Sequence, residues 1–288
     1  MRQPAVAGQF YEGSEPMLRE QIDACYEHEL GPGAVPLVKK GPRKILGLVS
    51  PHAGYVYSGP IAAHGFASLA NDGKPETFII IGPNHRGAGS GVSIMTTGKW
   101  LTPLGEVEID GKLAKELWKA SEIIDDDEVA HTYEHSLEVQ VPFLQHLYGS
   151  DFKIVPICMM LQDEETAREV GKAIAKVARA RDVVIIASTD FTHVGSAYGQ
   201  VPLDGERVDK FAKKQDEKVI GEILKLNPEG LLKSVVENDV TMCGYGPVSA
   251  MLFALDGRME KAELLKYASS YDVAPGDSAV GYASIVIR

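Results

Sequence analysis

Three short apolar stretches of the sequence are each followed by side chains that could bind a metal ion or move a proton. Residues 44–50 lead to His52, residues 78–81 lead to His85, and residues 182–188 lead to Asp190 and His193. Such short runs, bounded by turn-forming residues, are typical of buried strands. Ligands of open α/β sheets collect outside the carboxyl ends of the strands. We therefore expect these side chains to converge on one site.

The residue types favour a metal centre. Imidazole suits Fe, Zn, Cu and Ni, and thiolate favours Cu(I), Zn or Fe. His52 and His85 are two candidate ligands. Cys243 stands just before a predicted helix, where the helix dipole favours the thiolate, and is a candidate third ligand. Three protein ligands would leave a position open for water or substrate, while Asp190 and His193 could complete the shell or act beside it.

Each of these residues also has a purely structural interpretation. A lone histidine at a strand end is more often a hydrogen-bonded structural residue, and a lone cysteine is more often a small buried hydrophobe. His135 and Glu138, one helical turn apart, could support the site or form a structural pair. Tyr55 and Tyr57 could line a pocket or pack in the core. The remaining histidines and cysteines are interpreted as structural: His28, His64, His131, His146, Cys25 and Cys158.

Composition and charge exclude several classes of protein. The 288 residues are 44% hydrophobic and 24% charged, which is ordinary for a globular chain. The formal net charge of -11, with no basic cluster, argues against a nucleic-acid or acidic-membrane partner. Three scattered cysteines predict a reducing compartment. With no signal-peptide pattern and no membrane-spanning apolar run, a cytoplasmic protein is expected.

Apolar periodicity predicts alternating strands and helices. The predicted strands cover residues 44–50, 78–81, 152–159, 182–188, 262–271 and 279–287, with a β-hairpin or meander within 90–109. The predicted helices cover residues 14–26, 58–69, 112–120, 134–147, 164–179, 207–226, 228–237 and 248–255. Pro142 predicts a kink or a late start in the fourth helix. This alternation predicts a three-layer αβα, doubly wound fold with a mostly parallel, mixed sheet. Since no repeat or linker interrupts the chain, residues 1–288 are predicted to form a single domain.

Six ordered motifs carry a family resemblance. The sequence contains PAVAGQFY, PHAGYVYSGPIAA, IGPNHRG, EHSLEVQVPFL, STDFTH and CGYGP, in this order. On these motifs the chain is identified as a member of the Memo (mediator of cell motility) family, and the match covers essentially its whole length. The family fold is similar to that of the class III extradiol ring-cleaving dioxygenases.

The resemblance implies roles for individual residues. His52, His85 and Cys243 match the metal ligands of the family, and His193 matches its additional active-site histidine, with Asp190 in the same motif. Asn84, in the turn that presents His85, is expected to bind substrate together with Tyr55 and His135. Where the dioxygenases use Glu, this sequence has the Cys243 thiol. A thiolate is itself oxidisable and shifts metal preference toward Cu or Zn.

Two functions from different classes follow. The first is an oxidoreductase with a mononuclear metal ion, which is Fe(II) as the first expectation and Cu or Zn as alternatives. In it His193 moves a proton, and Asp190 sets the orientation and basicity of His193. The second is a non-catalytic protein that reuses the same cleft to bind a peptide or small ligand, or for redox signalling, with a metal that is structural, vestigial or absent. A metal-dependent hydrolase is a third, weaker alternative. No pattern in the sequence predicts an oligomeric state.

Overall fold

Eleven strands form the sheet of the computed structural model, which describes residues 1–202 and 205–288. The strands are β1 (Gly47–Ser50), β2 (Thr77–Pro83), β3 (Val92–Ile94), β4 (Lys99–Thr102), β5 (Gly105–Ile109), β6 (Asp125–Asp126), β7 (Lys153–Met159), β8 (Val183–Ser188), β9 (His193–Gly195), β10 (Ala262–Ser269) and β11 (Ser278–Ile287). Every residue of β1, β2 and β8 is buried, as the apolar runs predicted. The candidate site residues His52, His85, Asp190 and His193 follow the carboxyl ends of these three strands.

The sheet is mixed, with a parallel centre. The strand order is β10-β11-β1-β8-β2-β7-β3-β6, and β4, β5 and β9 pair beside this path. Strands β1, β8, β2 and β7 run parallel, whereas β11 is antiparallel to β1 and β10 is antiparallel to β11. The two closing strands therefore make the sheet mixed, which confirms the predicted α/β class. The parallel centre points the carboxyl ends of β1, β8 and β2 to one edge.

Ten α-helices and a short 3-10 turn are assigned within residues 1–202 and 205–288. The helices are α1 (Glu15–Glu27), α2 (Tyr55–Asp72), α3 (Gly111–Ala120), α4 (Val129–Thr132), α5 (Gln140–Tyr148), α6 (Glu164–Ala178), α7 (Val208–Leu224), α8 (Pro228–Glu237), α9 (Tyr245–Leu255) and α10 (Ser270–Val273), and the 3-10 turn covers Ser196–Tyr198. Helix α5 begins late, because Pro142 lacks an N–H and is tolerated only in a first turn. The longer α2 and α9 begin earlier than predicted, so both start close to the candidate site.

Helices cover both faces of the sheet. Helices α1, α2 and α5 pack together, and α2 lies on β1, β10 and β11. Helices α6, α7, α8 and α9 form another group, in which α9 lies on β1, β8 and β2. Gly65 lets α2 approach the sheet closely, because a Cβ there would lie 2.5 Å from Leu48 Cδ1 and 2.6 Å from Ser284 Oγ. The layered αβα arrangement follows from these contacts.

The hairpin predicted within residues 90–109 is present, since strands β4 and β5 pair antiparallel. Strand β3 pairs with β7, and so does the end of β5, so this segment is joined to the main sheet. Within the described part of the chain, no helix has both the length and the apolar character needed to cross a bilayer.

Candidate metal centre

Three neighbouring strands deliver the candidate side chains to one edge of the sheet. Strand β8 lies between β1 and β2 and is parallel to both, with Ser50 opposite Ser188. The chain therefore leaves all three strands at the same level. His52, Asp190 and His85 follow within four residues of the strand ends. Parallel pairing thus brings together residues that lie far apart in the sequence.

The ligand atoms of His52, His85 and Cys243 form one group. One ligand atom from each lies within 4.8 Å of the other two, and His52 Nε2 is 3.2 Å from Cys243 Sγ. Ligands of one metal ion at about 2.0–2.3 Å require such spacing. His52 is buried, Cys243 is partly buried, and His85 keeps about 30% of its side chain exposed. The group is therefore open to the cleft on the His85 side.

A buried network fixes the tautomer of His52. Ser188 Oγ donates its hydrogen to Ser136 O over 2.6 Å and accepts one from Gln140 Nε2 over 2.9 Å. Gln140 Nε2 also donates to Pro51 O, a pure acceptor, which fixes the orientation of its amide. The hydroxyl can therefore only accept from His52 Nδ1, at 2.9 Å. His52 Nε2 is left as a lone pair facing Cys243 Sγ.

Glu134 is the partner of His85 Nδ1, as Ser188 is the partner of His52 Nδ1. Its Oε1 lies 3.0 Å from His85 Nδ1, and its Oε2 accepts the backbone N–H of His85 over 2.6 Å. Burial alone would raise the pKa of Glu134. The hydrogen bond and charge of His85, with the charge of His135 and the N–H of Ser136, outweigh it and lower the pKa to about 2. The ionised carboxylate holds the proton of His85 on Nδ1 and leaves Nε2 free.

A second group, consisting of His85, Glu134 and His135, also has ligand atoms within 4.8 Å of one another. Glu134 Oε1 already accepts from His85 Nδ1 and from the backbone N–H of both His135 and Ser136. His135 Nδ1 lies 3.3 Å from Oε1 without the geometry of a hydrogen bond. Since three N–H groups already donate to this oxygen, Glu134 is placed to support His85 and this second group is the weaker candidate.

Contacts of the Cys243 turn with β8 and with Gln162 hold Cys243 at the end of β8. Cys243 Sγ accepts the backbone N–H of Asp190 over 3.2 Å. Gly244, which precedes α9, lies so close to β8 that a Cβ would be 2.4 Å from Ser188 O. Gln162 bridges the turn, since it donates to Cys243 O and accepts from Gly246 N, both over 2.9 Å. The CGYGP motif therefore places the sulfur beside the strand end.

The electrostatics of Cys243 differ from the prediction. Burial, and then the charge of Asp190, raise the pKa of the Cys243 thiol, although the helix dipole of α9 was expected to lower it. Burial also raises the pKa of Asp190. Burial, and then the charges of the neighbouring His85 and His135, lower the pKa of His52. Without a bound cation, the environment thus keeps the thiol protonated and the imidazole of His52 neutral.

His193 is oriented by Thr241 and not, as predicted, by Asp190. His193 Nδ1 lies 3.0 Å from Thr241 O, and the His193 N–H donates to Thr241 Oγ1 over 2.8 Å. Because a carbonyl only accepts, Nδ1 carries the proton and Nε2 is free. Asp190 instead accepts the backbone N–H of His52 over 2.7 Å, and its carboxylate lies 4.0 Å from His52 Nε2. Its position supports the His52 turn.

A cleft of about 460 Å³ opens over the candidate ligands His52 and His85. Its walls carry aromatic rings and small residues, and include Phe10, Tyr57, Tyr198, Ser270, Ala274, Gly276, Ser278, Val280 and Tyr282, together with His52, His85, His135, Asp190 and His193. His135 stacks on His85 with ring centroids 4.6 Å apart, and Phe10 meets the edge of His135 at 4.8 Å. His135 therefore lines the cleft. No described lining residue is a lysine or an arginine.

Two predicted substrate-binding residues lie elsewhere. Tyr55 is 2% exposed, donates its hydroxyl to Val139 O over 2.6 Å, and packs in the core. It occupies the first turn of α2 on its inner side, and its neighbour Tyr57 lines the cleft instead. Asn84 uses its amide to close its own turn, because it donates to Ala88 O and accepts from the N–H groups of residues 86 and 87. Neither side chain reaches the cleft.

Glu138 has a structural role, of the two roles expected for it, support of the site or a structural contact. It is fully buried and accepts hydrogen bonds from Ala5 N, Val6 N and Tyr11 Oη over 2.6–3.1 Å. It thereby anchors residues 5–11, which carry Phe10 into the cleft. The supporting residues Glu134, Ser188, Gln140 and Thr241 were missed in the sequence. The EHSLEVQ motif contains Glu134 and Gln140, and only this signal pointed to them.

Comparison with known proteins finds relatives along nearly the whole chain. A family model described as Memo-like protein matches residues 2–286. A MEMO1 family protein of Methanopyrus kandleri is 50% identical, with 100% of this chain and 99% of that protein covered. A MEMO1 family protein of Methanothermobacter thermautotrophicus is 48% identical, with 99% of each chain covered.

A solved structure shares the fold at much lower identity. An uncharacterized protein from Escherichia coli K12 superimposes with a TM-score of 0.56 at 15% identity, covering 85% of this chain and 100% of that one. At this identity the likeness concerns the fold alone. The family model and the two archaeal relatives instead cover nearly the whole length at high identity. By its sequence along that length, this chain belongs to the Memo family.

Proposed function

We propose that this chain holds a single metal ion through His52, His85 and Cys243 and acts as an oxidoreductase on a small organic molecule in the cleft. Fe(II) is the first expectation, with Cu or Zn as alternatives, because two imidazoles and a thiolate suit all three. The observation that carries the proposal is the grouping of three ligand atoms within 4.8 Å. The oxygen partner on Nδ1 of each histidine supports it, since metal-binding histidines have such partners.

The ligand residues bring complementary properties to the ion. Bound Fe(II) or Cu would supply electron transfer to oxygen, and Zn would supply Lewis acidity. His52 and His85 would each bind the ion through Nε2, because Nδ1 of each ring faces an oxygen partner. Cys243 must lose its proton when it binds, so metal binding is expected to release a proton. The positive charge of the ion would offset the burial and the Asp190 charge that raise the pKa of the thiol.

His193 is the candidate proton carrier. Thr241 O keeps the proton on His193 Nδ1, so Nε2 can accept a proton from a molecule in the cleft. His193 lines the same cleft as the ligand histidines, and Tyr198 packs edge-on against its ring with centroids 5.2 Å apart. Its role as a base requires no movement of the side chain out of its hydrogen bond.

A binding function is the second candidate. The cleft of about 460 Å³ falls within the range of small-molecule pockets, which is about 300–1,000 Å³. Its aromatic walls extend past the candidate ligands to Tyr57, Tyr198 and Tyr282. This extra surface favours a bound organic molecule or peptide even where no reaction follows. The two candidates differ in whether the ligand is changed.

Metal analysis of anaerobically purified protein tests the proposed centre. Wild-type protein is expected to carry close to one metal ion per chain, and Cys243→Ser is expected to carry far less. Cys25→Ala is the matched control, because Cys25 is a buried thiol whose sulfur lies beside Tyr55 O, outside the ligand group. Equal metal content in wild type and Cys243→Ser would remove the thiol from the ligand set.

Oxygen uptake separates the two candidate functions. The metal-loaded protein is mixed with a panel of catechols and oxygen consumption is recorded. An oxidoreductase is expected to consume oxygen with at least one of them, and His193→Gln is expected to slow that consumption while metal content stays unchanged. Saturable binding of a panel member without oxygen uptake would favour the binding function.

A further inference from the structure

Arg2 is a buried arginine with three contacts to one segment of the chain, residues 131–138, and a further hydrogen bond from Nη1 to Gln3 O. Its side chain is about 3% exposed, and its guanidinium lies 4.2 Å from the centre of the Trp100 ring. Nε donates to His131 O and one terminal nitrogen donates to Glu134 O, both over 2.6 Å. The same terminal nitrogen lies 2.7 Å from Glu138 Oε2. One side chain therefore contacts the segment 131–138 at three points.

This segment carries the groups that shape the candidate metal centre. It joins α4 to α5, and residues 133–139 form bends and turns without a regular helix. It supplies the Glu134 carboxylate to His85, the His135 ring to the cleft, and Ser136 O to Ser188 Oγ. Within it, His135 O accepts the backbone N–H of Val139 over 3.1 Å, whereas the carbonyls of His131 and Glu134 are held by the side chain of Arg2.

We propose that Arg2 is a positioning residue for the metal ligand His85, acting through Glu134. Arg2 fixes the carbonyl of Glu134, and the carboxylate of the same residue holds the N–H and Nδ1 of His85. The inference rests on the proposed metal-binding function for its consequence, and on the hydrogen-bond geometry alone for its structural part. Arg2 itself lines none of the cleft over the ligands.

The geometry requires arginine and not merely a positive charge. The guanidinium presents five N–H donors in a rigid plane, which lets it bond two carbonyls and a carboxylate at once. A lysine ammonium could keep the ion pair with Glu138, but it would lack the planar fork that reaches both His131 O and Glu134 O. Arg2→Lys therefore separates the positioning role from the charge.

The test compares Arg2→Lys with Glu138→Gln. The first variant keeps the buried charge pair and loses the fork, whereas the second loses the charge pair and keeps the fork. The first readout is the tautomer of His85 in the metal-free protein, observed by long-range ¹H–¹⁵N NMR. The second is the affinity for Co(II) alone, and the third is Tm.

Arg2→Lys is expected to lower the Nδ1–H fraction of His85 and to weaken Co(II) binding about 10-fold. His193, whose tautomer depends on Thr241 O, is expected to stay unchanged in the same spectra. Glu138→Gln is expected to lower Tm and leave His85 and Co(II) affinity unaltered. A folded Arg2→Lys protein with an unchanged His85 tautomer would overturn the proposal.

Two precautions keep the outcome decisive. If Arg2→Lys does not fold, Arg2→Met combined with Glu138→Gln leaves no unpaired buried charge and is judged by the same His85 spectrum. If wild-type protein binds no Co(II), the proposed function fails, while the tautomer measurement still decides the positioning role.

Discussion

His52 Nε2 lies 3.2 Å from Cys243 Sγ, although 191 residues separate the two in the chain. The contact depends on two separate features, the parallel centre of the sheet and the close approach of Gly244 to β8. It places a sulfur atom, a candidate soft ligand, beside an imidazole whose tautomer is already fixed. The chemistry of the centre should therefore respond sharply to changes at residue 243.

Replacement of Cys243 by other ligand types should separate metal retention from thiolate character. Co(II)-loaded wild-type protein is expected to show sulfur-to-metal charge-transfer absorption, which should vanish in both Cys243→Asp and Cys243→Ser. Cys243→Asp should keep more metal than Cys243→Ser, because two histidines and a carboxylate form a common metal-binding set. Absorption spectra and metal content measure both effects. Equal metal loss in the two variants would contradict this ranking.

Ser188→Ala should weaken metal binding by removing the hydrogen-bond partner of His52. The change removes the acceptor of His52 Nδ1 and the donor to Ser136 O, and it should cost about 1–3 kcal/mol of stability. Metal affinity should fall about 10–100-fold, since His52 loses the partner that fixes its tautomer. Urea melts and Co(II) titration measure the two losses.

Ser50→Ala is the matched control for Ser188→Ala. Ser50 lies opposite Ser188 in the neighbouring strand, is equally buried, and its hydroxyl has no hydrogen-bond partner among the described residues. Removal of this hydroxyl should change neither stability nor metal affinity appreciably. If both variants behaved alike, the effect of Ser188→Ala would be one of strand packing and not of the His52 network.

His131 should make the fold sensitive to acid. Burial, and then the charge of Arg2, lower the pKa of His131 from 6.5 to about 3. Above pH 6.5 the ring is neutral in both states and its contribution is constant. Below pH 6.5 His131 becomes protonated in the unfolded chain but stays neutral in the folded chain. The free energy of unfolding therefore falls with falling pH until about pH 3.

His131→Leu should flatten that part of the pH profile. At about 1.4 kcal/mol per pKa unit, the full effect of His131 is on the order of 5 kcal/mol. Urea melts of wild type and variant between pH 7 and pH 4 measure the difference. Parallel stability curves for the two proteins would show that His131 does not carry the acid sensitivity.

The chain should unfold as one domain. Strands β1 and β2 precede the β3–β5 segment and β8 follows it, and all three are paired in one sheet. Loss of either part would expose fully buried strands on both sides of the cut. A single calorimetric transition, with equal calorimetric and van't Hoff enthalpies, is expected. Limited proteolysis that released two independently folded halves would overturn the prediction.

The sequence by itself determined the longer strands and helices and the main candidate ligands, whereas the short elements β6, β9, α4 and α10 were not predicted. Runs such as residues 78–81 are too short and too apolar for surface helices, so they had to become buried strands. The mixed character of the sheet also followed from the two closing strands. His52, His85 and Cys243 were recognisable because each stands where a strand ends or a helix begins, and because family motifs contain them.

Only the tertiary structure decided which residues support the centre and which face the cleft. Tyr55 and Tyr57 are two residues apart, and the direction of α2 sends the first into the core and the second into the cleft. Asp190 was expected to orient His193, but the backbone carbonyl of Thr241 does so. Backbone carbonyls exist at every residue, and therefore no sequence pattern can indicate which one a side chain will meet. Hydrogen-bond partners distant in sequence are fixed by strand order and loop packing, which local propensity does not encode.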